Sequence, residues 1–323
     1  MRMKGLSFFF SRGNDKAYLL KLDHQCNYAC VICGALSNNT KHTFRALKDV
    51  KREIACAKRS GYMNIDFAGS EPTLHPKLPE MASYVNELGM HPAILTNGSR
   101  FASQEFTKKF RGLRSLAIKI NFHSHKQALF DEMSGTPGSY KKAMKAIENI
   151  NRFLDVYPKH SQNFLSASIT VTGRNFKDLD KTVAFLFNHG VRVVQFSPVL
   201  IGGNVYNHPE LLVETTKVLP YLKKALVAAR KRKMHYYLCN FAVCLIEEER
   251  GHLVPKPLES RGFLKLSFCK ECPYCAVCCG ITKGHLISRY GRELLASRSL
   301  FPKGFFDTFF SAQDLKFIGS LPF

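Results

Sequence analysis

The sequence predicts an α/β fold in which six strand–helix units form a partial (β/α)6 TIM-like barrel, followed by a cysteine-rich C-terminal extension. Two observations predict this fold. Apolar runs of strand length alternate regularly with segments whose apolar residues recur at helical spacing. In addition, seven of the eleven cysteines lie between residues 239 and 279. A chain of 323 residues with 45% hydrophobic content can bury a large core.

Six segments have the apolar character of buried parallel strands. They are residues 17–23, 63–69, 91–98, 115–124, 164–173 and 191–199. Between them, apolar residues recur at helical spacing, as in Leu179, Val183 and Leu186. Because eight such units close a TIM barrel, six predict a partial one.

The alternation of strands and helices changes after Gly203. A helix predicted over residues 210–233 is followed by a short strand ending near Cys239, and then by a loop-rich region. We therefore expect three parts: an N-terminal segment of residues 1–16, a barrel of residues 17–204 and a cysteine-rich extension of residues 205–323.

The N-terminus and the apolar runs predict the compartment. The first 16 residues contain an apolar run too short for a signal peptide, and no stretch approaches the ~18 apolar residues of a membrane span. We expect a soluble cytoplasmic protein without a membrane partner. In that reducing compartment, clustered cysteines indicate metal or iron–sulfur binding rather than disulfides.

The net charge of +22 favours acidic partners. Such a surface attracts acidic peptides, an acidic redox protein or a polyanion such as RNA. The alternative is an ordinary solvated surface, and charge alone names no partner.

The first cysteine cluster has a C-x3-C-x2-C spacing and directly follows a predicted strand. Cys26, Cys30 and Cys33 can converge on one soft metal centre, because cysteine thiolates hold iron–sulfur clusters. Three ligands leave one iron of a four-iron cluster open for chemistry, by analogy with catalytic zinc sites. The alternative from spacing alone is a zinc site with a distant fourth ligand.

The loop DHQCNYACVICG resembles the cluster loop of the radical S-adenosylmethionine (radical SAM) superfamily, and the resemblance extends over residues 17–199. Gly69-Ser70-Glu71-Pro72 resembles the family motif G-G-E-P, with Ser70 in place of the second glycine. The residues that the resemblance implies as contacts of SAM are Ile32, Gly69, Ser70, Glu71, Pro72, Asn97, Asn121, His123 and Gln195. Ile32 stands where the family often has an aromatic residue.

This resemblance implies a mechanism. A 4Fe-4S cluster on the three cysteines would bind SAM and cleave it reductively to a 5'-deoxyadenosyl radical, which abstracts hydrogen from the substrate. The cofactors carry the chemistry, so no catalytic residue is expected beyond the cluster and SAM. A reductant such as flavodoxin or ferredoxin is expected to supply the electron.

The C-terminal cysteines predict a second metal site. Their order resembles the auxiliary-cluster extensions called SPASM and twitch domains, and it implies a second 4Fe-4S cluster. The expected ligands are Cys244, Cys269, Cys272 and Cys278, with Cys275 and Cys279 as alternates. The alternative is a structural zinc ribbon. Cys239 is expected to be a free thiol or a replacement ligand, and Cys56 a small buried hydrophobe.

Three functions are consistent with these features. The first is a radical SAM enzyme that modifies a peptide or protein, as a maturase does. The second keeps this chemistry but acts on a small metabolite, a cofactor precursor or RNA. The third is a non-catalytic iron–sulfur or zinc protein.

Overall fold

The computed structural model describes residues 16–22, 25–34, 44–156, 162–254, 263–265, 267–276, 278–290 and 310–321. The expected N-terminal segment, apart from Lys16, lies outside the described residues.

Seven parallel strands form one sheet in which the spatial order follows the chain order. The strands are β1 (Lys16–Lys21), β2 (Tyr62–Ala68), β3 (His91–Thr96), β4 (Ser115–Asn121), β5 (Gln162–Val171), β6 (Val193–Pro198) and β7 (His235–Leu238). The first six confirm the six predicted strands to within a few residues. The α/β, partial-barrel prediction is confirmed.

The seventh strand continues the sheet past the predicted barrel boundary. β7 pairs with β6 in parallel, and Gln195 lies opposite Tyr237. Tyr236 and Leu238 of β7 are buried in the core that the helices cover. The strand is only four residues long, too short for its alternation to identify it as a sheet member. The division at residues 204 and 205 stays a prediction.

Helices connect the strands and cover one face of the sheet. They are α1 (Leu47–Arg59), α2 (Leu78–Glu87), α3 (Gln104–Lys108), α4 (Gln127–Met133), α5 (Ser139–Phe153), α6 (Leu179–Asn188) and α7 (Thr215–Lys231). α3 and α4 are too short to give a periodic signal. α7 begins later than predicted because Pro209 opens a separate 3-10 turn over Pro209–Leu211.

Side chains alternate between the two faces of each strand. Those facing the helices are apolar and form the main core, with Phe67, Ile94 and Ile118 among its members. The opposite face is the inner face of the partial barrel, and it carries polar groups among small apolar ones. Asp66 and Gln195 on this face are only partly buried.

The C-terminal residues form a smaller unit. β8 (Phe263–Leu264) and β9 (Ile281–Thr282) pair antiparallel, and α8 (Lys283–Tyr290) follows β9 directly. A final helix, α9 (Ala312–Ser320), contributes Phe317 and Ile318 to a small apolar cluster with Ile287. Within the described ranges, none of the helices combines the length and apolar composition that crossing a bilayer requires.

Candidate functional site

The N-terminal cysteine loop follows β1 and is held by backbone contacts. The Val31 amide donates to the Met133 carbonyl at 3.1 Å, and the ring of Tyr28 is buried. The Cys26 thiol accepts a hydrogen bond from the Tyr28 amide at 3.4 Å. These contacts fix the path of the loop.

The three thiols of this loop lie near one another. Burial, together with negative charge on Cys26 and Cys33, raises the pKa of Cys30 to about 12. Burial also raises the pKa of Cys26. A bound iron cluster would favour the thiolates, because cationic metal offsets both the burial and the mutual repulsion. The donor set therefore fits an iron–sulfur cluster.

Glu71 is the centre of a hydrogen-bond network between strand ends. Its Oε1 atom accepts from the Thr73 amide at 3.1 Å and from the Thr96 hydroxyl at 2.7 Å, and its Oε2 atom accepts from the Asn97 amide at 2.6 Å. The Thr73 hydroxyl also donates to Oε1. Burial raises the pKa of Glu71, while these donors act to lower it. Oε2 accepts one bond here and retains a lone pair for another donor.

The same network reaches the cysteine loop. The Glu71 amide donates to the Gln25 carbonyl at 2.7 Å. Asn97 donates from Nδ2 to Asn27 Oδ1 at 2.9 Å and lies 3.8 Å from the Cys26 sulfur. The ends of β2 and β3 and the cysteine loop therefore form one connected site.

The C-terminal cysteines surround a separate cavity of about 130 Å³. Five thiols line it: Cys244, Cys269, Cys272, Cys275 and Cys278. This volume is several times the roughly 30 Å³ that one water occupies in the liquid, so it suits a multi-atom cluster. Among the described residues, no group of three or more His, Cys, Asp or Glu side chains is arranged to hold one metal ion.

The neighbouring cysteines Cys278 and Cys279 have different environments. The Cys278 sulfur accepts from the Val243 amide at 3.4 Å and from the Gly280 amide at 3.3 Å, and such bonds stabilise a thiolate. The Cys279 thiol instead donates to the Phe241 carbonyl at 3.3 Å, and burial raises its pKa to about 12. The contacts favour Cys278 as a ligand over Cys279.

A profile of the Radical SAM superfamily matches residues 22–186, which is half of the chain and includes the cysteine loop and the Glu71 network. The chain belongs to the radical SAM superfamily. Members of this family use a 4Fe-4S cluster and SAM, and the further cysteines indicate an auxiliary cluster.

Individual relatives are distant. A probable GTP 3',8-cyclase of Sulfurisphaera tokodaii is 22% identical over 231 residues, covering 70% of this chain and 71% of that protein. Mycofactocin maturase MftC of Mycobacterium tuberculosis is 26% identical over 208 residues, covering 61% of this chain and 49% of MftC. The chain thus spans about half the length of MftC.

Solved structures support the same fold. Streptococcus suis SuiB bound to S-adenosylmethionine matches with a TM-score of 0.58 at 13% identity, covering 72% of this chain and 51% of SuiB. SuiB bound to its precursor peptide SuiA gives a TM-score of 0.57 at 13% identity, covering 80% of this chain and 55% of SuiB.

The predicted SAM contacts fall into two groups in this radical SAM protein. Gly69, Ser70, Glu71, Pro72 and Asn97 lie together beside the cysteine loop, which also contains Ile32. Gly69 has a φ of +118°, a conformation that favours glycine where β2 ends. Pro72 begins a short 3-10 turn over Pro72–Leu74. Their roles toward SAM stay predictions.

The second group lies on β4 and β6. Asn121 is exposed at the end of β4. His123 is buried, and its Nδ1 atom accepts from the Thr170 amide at 3.2 Å. Gln195 accepts from the Lys119 amine at 2.8 Å. His123 and Gln195 therefore already have protein partners, and the contacts of all three residues with SAM stay predictions.

Sequence reasoning missed two charged groups on the inner face, Asp66 and Lys119. Asp66 on β2, Lys119 on β4 and Cys239 after β7 interact electrostatically there. Burial raises the pKa of Asp66 to about 6 and lowers that of Lys119, while each charge partly offsets the shift of the other. The available signal was a charged residue at an alternating position in an otherwise apolar strand.

Cys239 and Cys56 also differ in environment. Burial raises the pKa of Cys239 to about 12, which keeps it a neutral thiol on the inner face. The expectation that Cys56 is buried is wrong, because its side chain is exposed. The buried face of α1 is formed by Val50, Ile54 and Ala57.

A Glu71→Gln substitution is expected to destabilise the protein. The amide of Gln has an NH2 donor where Glu71 has an acceptor oxygen, and this donor would face the hydrogens of the groups that now donate to Glu71. We expect the free energy of unfolding to fall by about 2 kcal/mol. Urea unfolding of the purified protein measures the change. Glu87→Gln is the control, because Glu87 is exposed on α2. Equal stability of the two variants would contradict the role of the network.

The buried His123 predicts a pH dependence of stability. Its folded-state pKa is about 4, below the ordinary value of 6.5, so the unfolded protein binds a proton that the folded protein rejects between these values. Stability contributed by the neutral ring is therefore present above pH 6.5 and lost as the pH falls toward 4.

A His123→Asn variant removes this titration and leaves an oxygen that can accept from the Thr170 amide. Between pH 7 and pH 4, wild-type protein should lose about 3 kcal/mol more unfolding free energy than the variant. Urea titrations across this pH range measure the unfolding free energy of both proteins. The contributions of all other titrating groups cancel when the variant is subtracted from the wild type. Parallel pH profiles would disprove the assignment.

The Cys278→Ala and Cys279→Ala variants are expected to differ in the iron content of the auxiliary site. After anaerobic reconstitution, Cys278→Ala should lose about four iron atoms per chain, the content of one cubane cluster, while Cys279→Ala keeps them. Iron and acid-labile sulfide assays measure the content. Iron loss in the Cys279 variant alone would reverse the assignment.

Proposed function

We propose that this chain is a radical SAM enzyme that cleaves SAM reductively and abstracts hydrogen from a peptide or protein substrate. The observation that carries the proposal is the connected site in which the Glu71 network joins two strand ends to the cysteine loop. A site with three thiols beside the polar groups of two strand ends suits a cluster that keeps one iron open for a ligand.

Each part of the chain has a task in this proposal. Cys26, Cys30 and Cys33 hold the SAM-binding cluster, and the free lone pair of Glu71 Oε2 accepts from the ammonium group of SAM. Asn97 orients the loop through Asn27. When bound, the cluster and SAM supply the one-electron cleavage that yields a 5'-deoxyadenosyl radical.

The remaining predicted contacts would complete the site for SAM. Ser70 and Asn121 offer polar groups at the strand ends, and Ile32 packs beside the adenine. His123 and Gln195 shape the inner face through their bonds to the Thr170 amide and Lys119. The inner face then receives the substrate and limits the access of water to the radical.

The second cysteine cavity holds the auxiliary cluster in this proposal. Cys244, Cys269, Cys272 and Cys278 are the ligands, and Cys275, which lines the same cavity, is the alternate. Four cysteine ligands close the cluster, which favours electron relay or stabilisation of the extension over substrate binding.

Two observations support a peptide substrate. The relatives include mycofactocin maturase, and the SuiB fold that this chain shares has been solved with a precursor peptide. The net charge of +22 favours an acidic leader segment, and it equally favours an acidic reductant such as flavodoxin or ferredoxin.

A small-molecule substrate is the second candidate. It is favoured by the similarity to probable GTP 3',8-cyclases over 70% of the chain. Anaerobic incubation of the reduced protein with GTP and SAM tests this candidate. If GTP is consumed, a small molecule takes the place of the peptide as the proposed substrate.

The radical chemistry is tested by SAM cleavage. Reconstituted, dithionite-reduced protein should produce 5'-deoxyadenosine, and Cys30→Ala should reduce production to background because a thiolate ligand is lost. Cys56→Ala, which removes an exposed thiol, is the matched control. Chromatography of the products measures the yield. Absence of 5'-deoxyadenosine from wild-type protein that contains both clusters would favour a non-catalytic iron–sulfur protein.

A further inference from the structure

The loop that follows β6 contacts the N-terminal cysteine loop. This bridging loop, defined as residues 202–207, places Asn204 against two cysteine carbonyls. The Asn204 amide donates to the Cys33 carbonyl at 2.9 Å, and its Nδ2 atom donates to the Cys30 carbonyl at 2.9 Å. One side chain and its backbone thus fix the orientation of two expected cluster ligands.

The approach of the two loops is unusually close at Gly203. Its φ is +53°, and a Cβ atom there would lie 2.3 Å from the Cys33 carbonyl oxygen. Any other residue would push the loops apart. The bridging loop is therefore shaped to contact the cysteine loop directly.

The other end of the bridging loop is anchored to the C-terminal helices. The Tyr206 hydroxyl donates to Asp314 Oδ1 at 2.7 Å, and its ring packs edge-on against Phe317 with centroids 5.6 Å apart. Lys283 makes an ion pair with Asp314 Oδ2 at 3.0 Å, and the side chains are only 10% and 3% exposed. Because this pair is buried, breaking one partner is costly.

The path continues to the auxiliary site. Lys283 is the first residue of α8, which follows β9 directly. β9 follows Cys278, which lines the auxiliary cavity. Residues 278–283 of the chain lead from the auxiliary cavity to Lys283, which contacts Asp314, and Asp314 contacts Tyr206 of the bridging loop. The same loop carries Asn204, which contacts the N-terminal cysteine loop.

We propose that Asn204 is a positioning residue for the SAM-cluster loop, and that the Tyr206–Asp314–Lys283 contacts couple it to metal loading at the auxiliary site. The inference rests on the proposed function, because it takes both cysteine sets as cluster ligands. Metal at the auxiliary site orders the chain that carries Lys283, which holds Asp314 and Tyr206 in place. By linkage, a filled N-terminal site must favour the auxiliary site by the same factor.

The first test removes the hydrogen bond between Tyr206 and Asp314. Tyr206→Phe removes the hydroxyl that binds Asp314 and keeps the ring against Phe317. It should weaken SAM binding to the reconstituted protein about fivefold, the effect of one lost hydrogen bond. It should also change the electron paramagnetic resonance (EPR) spectrum of the reduced, SAM-bound cluster. Equilibrium dialysis and EPR are the measurements.

Tyr221→Phe is the matched control, because Tyr221 is exposed on α7. A merely structural role of Tyr206 would lower the melting temperature and leave the EPR spectrum and SAM affinity at their control values. That result would overturn the coupling.

The second test concerns Asn204 itself. Asn204→Ala should weaken SAM binding and alter the same EPR spectrum, whereas Asn188→Ala, at an exposed position, should not. If the Asn204 and Asn188 variants behave alike while wild-type protein cleaves SAM, the positioning role is wrong although the proposed function stands.

A double-mutant comparison tests the coupling. In a Cys278→Ala background, Tyr206→Phe should weaken SAM binding less than about twofold, because the auxiliary end of the path is already lost. A full fivefold effect in that background would show that Tyr206 acts independently of the auxiliary site and would overturn the coupling. If wild-type protein fails to cleave SAM, the proposed function fails instead.

Discussion

The buried carboxylate of Glu71 is the constraint on which the rest of the candidate site depends. It accepts hydrogen bonds from the ends of two strands, while its own amide binds the Gln25 carbonyl in the cysteine loop. A carboxylate buried among so many donors is stable only when those donors stay in place. Consequently the positions of β2, β3 and the cysteine loop are fixed together.

The bridging loop supplies a second constraint on the same cysteine loop. Glu71 follows β2, whereas the bridging loop follows β6, four strands further along the sheet. Glu71 acts near Cys26, whereas Asn204 acts at the carbonyls of Cys30 and Cys33. The segment at Cys26 and the segment at Cys30 and Cys33 are thus positioned by two different parts of the chain. Preorganisation of this kind limits the reorganisation needed when a cluster binds.

Local sequence patterns predicted most of the fold and the two groups into which most of the cysteines fall. The strands were recognisable because their apolar runs are long, and the cysteine loop because its spacing is local. The pairing of Lys119 with Gln195 could not be predicted, since it joins side chains from β4 and β6. The difference between Cys278 and Cys279 likewise depends on which backbone groups face each sulfur.

Two parts of the chain form the auxiliary cavity, and they differ in how they are attached to the rest of the fold. Cys244 belongs to a segment that is anchored to the barrel. In this segment, Glu249 accepts hydrogen bonds from Arg230 of α7 and from Tyr236 of β7. Cys269 and Cys272 lie instead between the two-residue strands β8 and β9.

Closing the chain between Cys244 and Cys269 costs conformational entropy. Metal coordination can offset that cost, because ligands on both parts would bind the same cluster. Cluster binding should therefore help to order this part of the chain, and this dependence is what would allow the auxiliary site to act on the bridging loop.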